Sequence, residues 1–68
     1  MLVEIIKTEA DQDIARGEIY KNGMLDTRLK LYFDKGVLNS PKVGGRYALS
    51  TEWLNYMYKI GKMSAFEI

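Results

Sequence analysis

The stretch Arg28-Leu29-Lys30-Leu31-Tyr32-Phe33-Asp34 limits the possible folds more than any other part of the chain. Successive side chains of a strand point to opposite faces, so a strand here sorts Leu29, Leu31 and Phe33 to one side and Arg28, Lys30, Tyr32 and Asp34 to the other. The first set suits a small β core. The second sets two cations beside a flat ring, the combination that holds a phosphate backbone and stacks a base. An amphipathic strand also shows Lys, Arg and Tyr to water for no further purpose, so the rest of the chain has to decide between the two.

Sixty-eight residues make a single domain, 1–68, able to bury only about 60% of the surface its unfolded chain exposes. With neither Cys nor His, disulfides, thiolate metal sites and the usual zinc ligands are missing, which leaves strand packing or a partner subunit to stabilise it. The apolar opening Met1 to Ile6, broken by Glu4, is too short for a signal peptide or a membrane span. A soluble, intracellular protein with no membrane partner is expected. Ten Lys and Arg against nine Asp and Glu leave a net charge of +1, but the distribution is uneven. Acids gather at Glu9, Asp11 and Asp13, and from Arg16 onward nine basic residues face five acidic ones. That excess attracts a polyanion weakly.

Met1 to Lys7 reads as a first strand with apolar residues on both faces, and the polar Thr8 to Asp13 as a loop or a single helical turn. A second strand runs from Ile14 to Lys21, where Ala15, Gly17 and Ile19 alternate with Arg16, Glu18 and Tyr20, and Gly17 marks a bulge or a close backbone approach. Asn22-Gly23 is the clearest turn signal, because a type I′ hairpin needs positive φ at both central positions. It joins the second strand to the third through Met24 to Thr27. Whether Arg16 and Tyr20 then share a face with Arg28, Lys30 and Tyr32 depends on register, which a slip of one residue would reverse. Asp34-Lys35-Gly36 is a turn and Val37 to Val43 a loop, with Gly44-Gly45 bending into a fourth strand, Arg46 to Ser50. Capped by Ser50 or Thr51 and ended by Gly61, a short helix with a Trp53, Leu54, Met57 and Ile60 stripe is favoured next, a strand rich in aromatics being the alternative. Lys62 to Ile68 closes the chain as a strand.

Five short strands with at most one helix predict an all-β fold, a small β-barrel, since closure removes exposed edges. Both a five-stranded oligonucleotide-binding (OB-fold-like) barrel and an SH3-like barrel fit, although a helix before the last strand departs from the usual oligonucleotide-binding order.

From Leu29 onward the order of features resembles the single-stranded-DNA-binding, or helix-destabilising, proteins of filamentous phages. Leu29 to Gly36 is similar to their strand followed by Asp-x-Gly, and Gly45-Arg46-Tyr47-Ala48-Leu49-Ser50-Thr51-Glu52-Trp53 to their Gly-x-Tyr and Leu-Ser-Ser-x-aromatic motifs. Their extended N-terminal hairpin would be shortened here to Ile14 through Leu25, with Arg16 and Tyr20 as the counterparts of its contact residues. The resemblance implies an oligonucleotide-binding barrel, a homodimer, and cooperative coating of single strands in phage or mobile-element DNA replication, in the host cytoplasm if the source is viral. It also implies strand and loop, instead of helix, over Ser50 to Lys59.

The residue inventory favours binding over catalysis. No carboxylate pair has a shared-site spacing, Lys42 to Arg46 lacks the flanks of a phosphate loop, and Asp11-Gln12-Asp13 lacks the glycine and distal glutamate of a calcium loop. No enzyme activity, metal or cofactor is expected. Eight aromatic residues exceed what so small a core absorbs. Tyr20 and Tyr32 are the first candidates for stacking bases of single-stranded DNA or RNA. Arg16, Lys21, Arg28, Lys30 and Arg46 are the candidates for phosphate contact, with Tyr56 and Tyr58 as further nucleic-acid contacts or, with Trp53, part of a core or subunit interface. Phe33, Tyr47 and Phe66 are assigned to the core. The alternative function is a protein-interaction module, a small phage or mobile-element product that inhibits or recruits a host factor through an exposed edge or an aromatic patch.

Overall fold

The alternation at Arg28–Asp34 belongs to a longer strand in the computed structural model, which describes residues 1–9, 11–38 and 45–68, with the backbone alone at 7–9. The strands are β1 (Leu2–Glu9), β2 (Gln12–Lys21), β3 (Met24–Asp34), β4 (Arg46–Ala48) and β5 (Met63–Glu67), and the helix α1 (Thr51–Lys59) lies between the last two. All pairings are antiparallel, in one sheet of order β4-β1-β2-β3-β5.

The expected barrel is not closed. β4 and β5 stand at opposite ends of the order instead of pairing with each other, and the apolar face is covered by α1. Val3, Ile5, Ala15, Leu31 and Phe33 project from that face and are buried with Leu38 and with Leu54 of α1. Trp53 stacks on Phe33 with ring centroids 5.7 Å apart. One helix laid on a sheet meets the same need as closure, since either removes an apolar face from water.

Local chemistry explains the element ends. Asn22 and Gly23 both have positive φ, 52° and 75°, as a type I′ hairpin requires. Ser50 Oγ accepts a hydrogen bond from the Trp53 N–H at the start of α1, which settles the choice between Ser50 and Thr51 as cap. At the other end Gly61 takes φ 77°, its N–H donates to Tyr58 C=O, and Lys62 N–H donates to Met57 C=O. These are the two bonds of a Schellman stop. Residues 51–59 are therefore helix, as the apolar stripe predicts and the phage resemblance does not.

Two further expectations need correction. Thr8 to Asp13 is not a loop: Thr8 pairs with Asp13 and Glu9 with Gln12, so β1 and β2 extend further than their composition suggests. Asp13 is only 1% exposed, and its Oδ2 accepts the N–H groups of Gly36 and Leu38, both at 3.0 Å. A carboxylate that looked like loop chemistry instead pins the turn after β3 against the head of β2. Of the two readings of Gly17 the close approach holds, and the bulge between β2 and β3 lies at Ile19/Tyr20. Gly17 makes the close approach, since a Cβ there would collide with the Met1 methyl group and lie 3.3 Å from Leu31 Cδ1. The second correction is that Ile60, placed on the apolar stripe, is exposed. Of the expected loop Val37 to Val43, residues 39–43 lie outside the described residues, as does Gly44.

Candidate functional site

Register, which the sequence left open, decides the uncovered face. Arg16 lies opposite Lys30, Glu18 opposite Arg28 and Ile14 opposite Tyr32. Directly opposed residues share a face, so Arg16, Arg28, Lys30 and Tyr32 lie together, on the side away from α1. The neighbouring ladders extend the rows: Arg46 of β4, Glu4 of β1, Arg16 of β2, Lys30 of β3 and Phe66 of β5 form one line across the sheet. The next line holds Leu2, Glu18 and Arg28, and the Ile68 N–H donates to Arg28 C=O beyond it.

A concavity of about 390 Å³ opens on this face, lined by four cations, Arg16, Arg28, Lys30 and Arg46, and two carboxylates, Glu4 and Glu18. The cations are not equivalent. Arg46 forms an ion pair with Glu18, Nη1 to Oε1 2.7 Å, reaching across β1 from β4 to β2. The Tyr20 hydroxyl donates to the second oxygen of the same carboxylate at 3.0 Å. Tyr20's phenolic oxygen first, and Glu18's charge second, raise the Arg46 pKa above its ordinary value. Arg16 and Arg28 form no ion pair among the described residues. Lys30 Nζ lies 5.4 Å from the Tyr32 ring centroid, within cation–π range.

The other candidate residues lie at the edge of this group or outside it. Tyr20, 42% exposed, stands at the margin of the concavity: the bulge beside it places it opposite Leu25, and its hydroxyl is engaged with Glu18. Lys21, at the hairpin tip, pairs with Asp26 at 3.6 Å. Tyr56 and Tyr58 are exposed on α1, which covers the opposite face, and so do not join the group. Tyr47 and Phe33 pack in or against the core. Phe66 does not. It is 59% exposed on the open face, where it meets Tyr32 edge to face with centroids 5.8 Å apart and planes at 77°. β5 alternates Met63, Ala65 and Glu67 with Ser64, Phe66 and Ile68, and the more apolar second set would normally be the buried one. Pairing of Met63 with Phe33 brings Met63 against the core and sends Phe66 outward. No sequence signal pointed to this: in a strand Glu67 faces away from Phe66, so its charge on pattern alone argues for Phe66 inside.

Among the described residues no group of three or more His, Cys, Asp or Glu is placed to hold a metal ion, and no helix is long and apolar enough to cross a membrane. Comparison with protein-family models, with curated proteins and with solved structures finds no match to this chain.

Proposed function

We propose that this protein binds single-stranded nucleic acid, DNA or RNA, without sequence specificity, on the open face of its sheet. Arg16, Arg28 and Lys30 contact phosphates and the aromatic pair beside them, Tyr32 and Phe66, supplies the stacking surface. The observation that supports this most is the Arg16–Lys30 and Glu18–Arg28 register, which gathers three cations lacking ion-pair partners among the described residues, together with Tyr32, on the face that no helix covers. Nonspecific single-strand binding needs that pairing of cationic track and exposed ring. It does not need the closed oligonucleotide-binding barrel, because an open antiparallel sheet with one covered face offers bases a similar platform. The resemblance to the filamentous-phage proteins extends the proposal to a homodimer that coats single strands during phage or mobile-element DNA replication. Arg46 has a lesser part in it, since its charge is already matched by Glu18.

Fluorescence anisotropy of a labelled oligothymidylate tests this directly. Binding at about 50 mM salt that weakens as salt rises is expected, with Arg16→Gln and Arg28→Gln each lowering affinity while leaving the melting temperature unchanged. No binding at low salt would refute the proposal. That outcome would favour the protein-interaction reading, whose support lies across the molecule, where Tyr56, Tyr58 and Ile60 are 58%, 63% and 45% exposed on or just after α1.

A further inference from the structure

Which ring a base would stack on is a separate question, and β3 and β5 hold the relevant geometry. Tyr32 is half-buried and closely surrounded. Opposite it on β2 is Ile14, only 4% exposed; Lys30 Nζ lies over its ring; Phe66 abuts it edge to face. Little of its π surface is left for a ligand. Phe66 is in the reverse situation. It is 59% exposed on an edge strand, with Lys30 opposite and the cation-lined concavity alongside. Beside the Lys30 ammonium, its ring presents a π face on which a base can lie.

Resting on the single-strand reading above, we propose that Phe66 is the base-stacking platform and Tyr32 a positioning residue, which holds the Phe66 ring in place. A nucleotide then lies across β3 and β5 with its base on Phe66 and its phosphate toward Arg28 and Lys30. The backbone enters by the concavity lined by Arg16, Arg28, Lys30 and Ile68.

The test compares two probes, a labelled oligothymidylate and an abasic oligodeoxynucleotide of equal length, on wild type, Phe66→Ala, Phe66→Leu, Tyr32→Ala, Tyr32→Phe and the Phe66→Ala/Tyr32→Ala double variant. Replacing Phe66 with Ala is expected to weaken thymidylate binding about 5- to 100-fold and abasic binding about twofold at most. Leu, which keeps bulk and fold but offers no π face, should lose as much as Ala. Tyr32→Phe should bind as wild type does. Tyr32→Ala should weaken thymidylate binding, yet add nothing when Phe66 is already Ala, because a positioning residue has no effect once the ring it holds is gone. Equal losses on both probes, no loss in either Phe66 variant, or a further loss in the double variant would overturn the assignment while leaving the single-strand reading in place. Wild type that binds neither probe would end both.

Discussion

Asp13 is a polar group on which the core depends. Its carboxylate is buried and takes two backbone N–H groups from the turn after β3, and a buried donor left without an acceptor costs about 1–3 kcal/mol. Asp13→Ala should lower the unfolding free energy by about 2–3 kcal/mol in urea titration, while Asn, which keeps one carbonyl acceptor, should cost less. Glu18 holds the comparable position on the open face, where it ties Arg46 and Tyr20. Its change to Gln removes a negative charge from the cationic track and releases Arg46, so oligothymidylate affinity should rise, about three- to tenfold at low salt. Unchanged affinity would show that Arg46 is unable to reach the ligand. The Arg46 shift is upward on a base; any stability it contributes is therefore present at every pH below the ordinary guanidinium range and is lost only as pH rises through the raised value. The stability difference between wild type and Arg46→Gln should accordingly be the same at about pH 6.5 and about pH 9.

At the scale of elements, α1 is the piece that makes the sheet one-sided, and its two ends are where it is most easily disturbed. Gly61 at φ 77° accommodates the Schellman stop, and Ala there should cost about 1 kcal/mol, equivalent to roughly 4–8 °C in melting temperature for a domain this small. Ser50→Ala should cost less than that, because the capping bond is long at 3.4 Å. Trp53 reports on this docking, since it stacks on Phe33 on the face away from the cations. Its emission should stay unchanged on oligothymidylate addition and shift only when α1 undocks on heating. Quenching of Trp53 by DNA would place the ligand on the helix-covered side of the sheet, against binding on the open face.

For the molecule as a whole, the open face is a mixed-charge surface with a cationic excess. On this face Arg16, Arg28 and Lys30 have no ion-pair partner among the described residues. Each phosphate neutralised on a single strand contributes about −0.7 to the slope of log affinity against log salt. Three contacts predict a slope of about −2, and removing Arg28 should bring it to about −1.4. A slope near zero would mean that the face binds by apolar contact alone. A slope beyond about −4 would bring in Arg46 or the basic residues off this face.

What the sequence determined by itself is local. Alternation over Arg28–Asp34 set the two faces of β3, Asn22-Gly23 made the hairpin, and Ser50, the Trp53–Leu54–Met57 stripe and Gly61 bounded the helix, because backbone sterics and side-chain periodicity act within a few residues. Only the tertiary structure decided that the sheet stays open, that Thr8–Asp13 is paired and Asp13 buried, that Arg46 is tied to Glu18, and that Phe66 points to water. Each of these follows from pairings between segments distant in the chain. A strand's face is set by its own pattern, but which strands neighbour it, and in which register, is set by the free energy of the whole core. Burying Met63 against Phe33 and its neighbours turned β5 so that Phe66 lies beside Tyr32 and Lys30, and no local rule could have shown that choice.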